Sequence, residues 1–339
     1  MRGRIYLASL RSAACMMFVL GASRCPADQP ASRSSVGPAA DEVWWTGPLL
    51  ASAAAALPER GVTIESYVFD SVVRTRFDNS GEKRPVDRSE SSGSLTEFFY
   101  GATDALTLGL IGRFGRLRMS EDTYASRIGL GDCTVQGQYE LARQSAKTPA
   151  TISLVLAETL PTGRFDRLSD RPADGLGTGA HTTTLALYSQ RLFILPSERP
   201  LRSRLNVSYS FSSRVEIQDA SIYGTADGFR GEARPGPVIE VDWAAEYSVS
   251  RHWVSAMDID YLHGASTPIR GINARGSSAG ESGTTVESRL SSTTTLSLAP
   301  AIEYNLSGDF GIIAGIVIPV RGRNASSALT PTLAFNISF

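Results

Sequence analysis

The C-terminal residues Leu329 to Phe339 read LTPTLAFNISF and alternate from end to end. Leu329, Pro331, Leu333, Phe335, Ile337 and Phe339 share one face, while Thr330, Thr332, Ala334, Asn336 and Ser338 share the other. Successive strand side chains point to opposite faces, so this run is a strand with an apolar environment on one side and a polar one on the other. Helical spacing would gather neither set. Upstream, Leu296, Leu298, Pro300, Ile302, Tyr304 and Leu306 oppose Thr295, Ser297, Ala299, Ala301, Glu303 and Asn305. Ile239, Val241, Trp243, Ala245 and Tyr247 oppose Glu240, Asp242, Ala244 and Glu246 in the same way.

Twelve segments share this pattern, at about 61–72, 91–100, 106–114, 132–142, 150–160, 181–194, 201–214, 236–247, 253–265, 290–305, 310–320 and 327–339. Phe98, Phe99 and Tyr100 run together in the second, and Arg191 breaks the sixth, so the count lies between ten and fourteen. Long connections (73–90, 115–131, 161–180, 215–235, 266–289) alternate with short ones (101–105, 143–149, 195–200, 248–252, 306–309). Long loops at one end and short turns at the other are the arrangement of an outer-membrane barrel. A soluble β-sandwich would also alternate, but its loops need not sort by length. The expected fold is an all-β, antiparallel, up-and-down transmembrane β-barrel of about twelve strands, both termini at the short-turn, periplasmic end. Closure pairs every strand edge, which lets lipid surround it.

Composition agrees. Hydrophobic residues make up 42% of the 339, too many for a disordered chain. No run approaches the roughly 18 apolar residues of a spanning helix, but a membrane strand needs only about 9–11. The 33 basic and 34 acidic residues nearly cancel, which gives no pull toward nucleic acid.

Arg2, Arg4 and Arg11 precede the apolar stretch Ala13 to Ala22 and the small residues Gly21, Ala22 and Ser23, the outline of a secretory signal peptide over residues 1–23. Cleavage there removes three positive charges and takes the net charge from −1 to −4. With Cys15 gone, Cys25 and Cys133 form no disulfide framework. Residues 24–60, rich in Ala, Ser and Pro, read as an N-terminal extension or periplasmic plug before a barrel spanning 61–339.

Several short motifs fall in a fixed order along the chain: Trp45-Thr46-Gly47-Pro48-Leu49-Leu50, Gly129-Leu130-Gly131-Asp132, Leu160-Pro161-Thr162-Gly163, Leu176-Gly177-Thr178-Gly179, Pro300-Ala301-Ile302-Glu303-Tyr304 and Gly322-Arg323-Asn324. In that order they resemble the outer-membrane transporter-like proteins associated with the meta-cleavage pathway of phenol degradation. The resemblance covers most of the chain from residue 45 and implies a barrel that passes small, hydrophobic or aromatic compounds. The terminal Phe339 resembles the aromatic end that outer-membrane barrels present to their assembly machinery.

With apolar faces toward lipid, the polar faces line the interior. Candidate lumen residues are Arg204, Glu240, Asp242, Glu246, Asp258, Asp260 and Glu303. A turn at Ser248 to His252 that sets Tyr247 against Trp253 places Asp242 opposite Asp258 and Glu240 opposite Asp260. Like charges so placed repel, and Arg202 and Arg204 on the seventh strand are the expected neutralisers. Trp44, Trp45, Pro48, Leu49 and Leu50 are plug candidates, because apolar residues ahead of the first strand are costly to leave in water. Pro300 removes one ladder hydrogen bond from its strand, which marks a bulge or a lateral opening. His181, His252 and His263 are too dispersed for zinc, and Asp166, Asp170 and Asp174 are spaced wrongly for a calcium loop. No metal, cofactor or enzymatic chemistry is implied; the partners are outer-membrane lipid and a small solute.

Overall fold

The computed structural model describes residues 43–119, 123, 125, 127–274 and 283–339; the signal-peptide reading of residues 1–23 lies outside them. Twelve strands form the barrel: β1 (Val62–Phe77), β2 (Lys83–Thr103), β3 (Leu106–Arg118), β4 (Cys133–Ala142), β5 (Thr151–Leu160), β6 (Thr182–Ile194), β7 (Pro200–Ser212), β8 (Val238–Ser248), β9 (Trp253–Gly264), β10 (Thr293–Asn305), β11 (Phe310–Arg323) and β12 (Ser326–Ser338). Each pairs antiparallel with its chain neighbours, and β1 pairs with β12 to close the ring. The seam joins the two ends of the barrel, with Phe339 N–H donating to the Val62 carbonyl at 2.8 Å and Val62 N–H to that of Phe339 at 3.1 Å.

The alternation sorts the faces as the C-terminal stretch requires. Leu333, Phe335 and Ile337 point outward, while Ala334, Asn336 and Ser338 are buried inside. The crowded aromatics of β2 also divide, Phe98 and Tyr100 to lipid and Phe99 wholly to the interior, where its ring lies against Gly109. Tyr247, Trp253 and Tyr304 sit outward at the short-turn end, and the last two rings are 4.6 Å apart. Amphipathic rings at that level form the aromatic girdle of a membrane barrel.

Two expectations are corrected. Residues 73–90 are not a loop, because β1 and β2 continue as a hairpin with Thr75, Arg76 and Phe77 paired to Pro85, Arg84 and Lys83. The β8–β9 register is also two residues from the expected one: Asp242 pairs with Asp260, Ala244 with Asp258 and Glu240 with Leu262. Trp253, the first residue of β9, closes the turn, its carbonyl accepting from the N–H groups of Val249 (2.9 Å) and Ser250 (3.0 Å). The first full pair is therefore Ser248 with Val254. A shift of two conserves the face, so the acidic residues still point inward.

At the long-loop end, segments Val215–Gln218, Phe229–Ala233, Thr267–Asn273 and Thr284–Leu290 form a separate four-stranded sheet. It shares a core with the 161–180 loop, made of Leu168, Val215, Ile217, Tyr223, Phe229 and Ile269. Asp132 ties the 161–180 loop to the wall, its carboxylate accepting from the N–H of Gly163 (2.9 Å) and Thr178 (2.7 Å). Burial pushes this carboxyl above its ordinary range, against the pull of those donors.

Candidate functional site

The segment before β1 runs inside the barrel near its short-turn end, with bends at Leu49, Leu50 and Ala55. It could pass through a dry interior only if its backbone groups found partners, and the inward polar faces supply them. Glu303 on β10 accepts from the N–H of Thr46 (2.7 Å) and Gly47 (3.1 Å). Asp258 on β9 accepts three, from Leu49 (3.1 Å), Leu50 (3.2 Å) and Ala51 (3.0 Å). On β7, Arg204 donates to the Ala51 carbonyl at 3.1 Å and Asn206 to that of Ser52 at 3.0 Å. Gln138 on β4 spans the carbonyls of Ala53, Ala54 and Ala55 at 3.2, 3.1 and 3.3 Å, and Ser153 on β5 donates to Ala54. Glu140 then takes the N–H of Ala56 at 2.9 Å and Thr107 that of Leu57 at 2.8 Å.

Side-chain size completes the fit. Ala53 and Ala54 are fully buried against Val155, Ala186 and Tyr188. Leu49 reaches the opposite wall and packs with Tyr67, Leu95, Ile111 and Ile313. The wall recedes to admit the segment: a Cβ at Gly311 would lie 1.9 Å from Thr46 Oγ1. Gly47 holds φ +118°, a backbone shape that side chains disfavour.

The candidates from sequence fall into three groups. Trp44, Trp45, Leu49 and Leu50 all belong to this crossing segment: Trp44 N–H donates to Arg251 O at 3.3 Å, and Trp45 is 4.5 Å from the Arg202 guanidinium. Pro48 lies between them and is buried. Arg202, Arg204 and Glu246 form one buried ion cluster, with Arg202 Nε at 2.7 Å and Arg204 Nε at 3.0 Å from Glu246 Oε2. The arginines thus hold Glu246, while Asp258 is met by backbone N–H groups. Asp242 and Asp260 face each other higher in the lumen, and Glu240 is half-buried beside them. Sequence reasoning did not single out Gln138, Glu140 or Ser153, nor the facing pair Glu65 and Glu97; a polar residue on the inward face was the available signal.

Beyond this layer, toward the four-stranded sheet, lies a cavity of about 300 Å³ lined by apolar Ile222, Val238, Leu262 and Leu290 together with polar Arg76, Arg289, Thr293 and Asn324. The interior is therefore predominantly apolar at the long-loop end, acidic in the middle and occupied by a peptide at the short-turn end.

A family model described as "Putative MetA-pathway of phenol degradation" matches residues 89–330. The chain belongs to that family. Among solved structures it is similar to an outer membrane channel from Pseudomonas putida F1, at 16% identity with a TM-score of 0.61, over 84% of this chain and 97% of that one. It is also similar to the toluene transporter TbuX of Ralstonia pickettii, at 10% identity and a TM-score of 0.37, over 92% and 98% of the two chains. No curated protein matches the sequence. Family, closed barrel and apolar exterior make this an outer-membrane β-barrel.

Proposed function

We propose that this member of the phenol-degradation family is an outer-membrane uptake channel for small hydrophobic compounds, aromatic ones included, with residues 43–60 as a docked plug. The observation that carries the reading is the pairing of an apolar outer cavity with a periplasmic end filled by a segment held through side-chain hydrogen bonds. Such bonds are worth about 0.5–1.5 kcal/mol each, more where a charge takes part, so the plug is firmly seated yet separable from the wall. An open pore for polar solutes would leave this layer to water. The C-terminal strand, ending in Phe339, is the proposed contact for barrel assembly.

The test is solute entry into proteoliposomes. A single-ring hydrocarbon should enter faster with the full chain than with lipid alone, and a sugar of similar size should not. Equal acceleration of both, or of neither, would reject the reading. Binding of a partner to the outer loops without any solute entry would favour an adhesive barrel instead.

A further inference from the structure

The geometry points to a binding site for a phosphorylated lipid headgroup on the outer wall of the barrel, formed by Arg321 and Arg323 at the long-loop end of β11. The site is on the lipid-facing surface and does not depend on what the lumen carries. Arg321 and Arg323 are both exposed and flank Gly322, which is buried. A Cβ on Gly322 would lie 2.6 Å from the Phe77 ring, so this residue points into the barrel and its two neighbours point out. Across the β10–β11 ladder, Arg321 meets Leu296 and Arg323 meets Thr294, both on the outward face of β10.

Nothing on this wall neutralises the pair. Every Asp and Glu within β8 to β12 points inward, and Arg321 and Arg323 are the only Arg or Lys in those five strands. Neither arginine makes a hydrogen bond or an ion pair among the described residues. The tip of the β1–β2 hairpin does reach this end of β11, where the Asn324 N–H donates to the Asp78 carbonyl at 3.1 Å. The carboxylates of that tip, Asp78 and Glu82, are both engaged by Arg84. Two positive charges therefore stand on an otherwise apolar lipid face with no protein counter-charge.

Their height is that of lipid headgroups. With a rise of about 3.3 Å per residue and a strand tilt near 40°, Leu296 and Thr294 lie roughly 20 and 25 Å along the barrel axis from Tyr304 in the short-turn girdle. The apolar band of such a barrel is about 25 Å tall, so the arginines straddle its outer edge. Aromatic neighbours mark the same boundary. Tyr261 on β9 pairs with Leu296, and Tyr209 on β7 pairs with Ile239, both rings exposed on the outside; such rings collect at membrane–water interfaces. His263 sits opposite Thr294, its Nδ1 3.1 Å from the threonine Oγ1, and adds an imidazole at the level of Arg323. Arginine forks match phosphate oxygens through paired, charge-assisted hydrogen bonds. Side chains two apart on a strand are rooted about 7 Å from each other, close enough for both guanidinium groups to hold one phosphate.

The experiment places the full chain in phosphatidylcholine nanodiscs that contain either diphosphorylated lipid A or the same lipid with its phosphates removed. Native mass spectrometry then counts the lipid that stays with the released barrel. The wild type should retain the phosphorylated form roughly ten- to thirty-fold better, the effect of two basic groups at a charged lipid surface. Arg321→Gln/Arg323→Gln should bring that ratio toward one. Lys147→Gln/Arg199→Gln, the same loss of charge at the short-turn end, should leave it in place. Equal retention of the two lipids by the wild type would overturn the proposal, whether or not the double variant folds. So would a ratio that survives the Arg321 and Arg323 substitutions, or one that falls equally in the short-turn control. Displacement of the lipid by equimolar inorganic phosphate would also overturn it, because the free anion would then be the ligand.

Discussion

At the residue scale, Asp258 and Glu303 hold the segment before β1, because five N–H groups between Thr46 and Ala51 end on their carboxylates. Asp258→Asn turns one acceptor into an NH2 group that faces a backbone donor, and Glu303→Gln does the same for Thr46 or Gly47. Each should weaken docking by about 1–3 kcal/mol, the cost of an unmet buried polar group. Amide exchange at Leu49, Leu50 and Ala51 should accelerate in Asp258→Asn and stay slow in the wild type. The cluster at Glu246 behaves differently. Arg202→Ala leaves a buried carboxylate with half its cations, a change that costs roughly 3–5 kcal/mol; the heat at which the folded barrel unfolds in detergent should drop clearly. Asp132 adds a pH dependence. Its folded pKa lies above its unfolded value, so its contribution to loop docking is complete below the ordinary aspartate value of about 4 and is lost as pH rises through the raised value. Corrected exchange protection of Gly163 and Thr178 should therefore decline with rising pH, and Asp132→Asn should flatten the profile.

At the element scale, the strands were readable because lipid and lumen impose opposite preferences on successive residues. Leu329 to Phe339 shows this most plainly, and even Phe98-Phe99-Tyr100 obeys once Gly109 makes room for the inward ring. The β8–β9 register was not readable, since it depends on Ser250 and Trp253 closing the turn through backbone contacts that residue types do not announce. That the segment before β1 is apolar was legible, but its course inside the barrel was not. Ala53 and Ala54 look like compositional bias in sequence and prove to be small because Tyr188 and Val155 leave no space. Pro300 kept its promise of a local break: it pairs with Met257 on β9, whereas the β10–β11 ladder runs from Leu298–Ile318 to Ala301–Gly315 with no pair between. Amides at Ile316 and Val317 should then exchange faster than those at Ile312 and Ile313. Uniform protection along β11 would contradict the break.

At the scale of the whole molecule, the chain is a closed wall with different contents at each level. Lipid meets its exterior, a four-stranded sheet with its own packing stands at the long-loop end, a predominantly apolar cavity and acidic pairs follow, and the segment before β1 lies inside the short-turn end. The order suits solutes that leave water readily and opposes the free flow of ions. The strands came from periodicity, the barrel in a membrane from the sorting of long and short connections, and the direction of uptake chemistry from family resemblance. The three-level interior needed coordinates, because it arises from residues up to 259 positions apart, as where Thr46 Oγ1 donates to Asn305 at 2.8 Å.

The most direct test of the plugged interior is single-channel conductance of the refolded full chain in planar bilayers, beside Asp258→Asn/Glu303→Gln. The account predicts small or absent steps for the wild type and larger, cation-preferring steps once the plug is loosened, since Asp242 and Asp260 then line a wet path. A large, steady wild-type conductance that the double substitution leaves unchanged would contradict it.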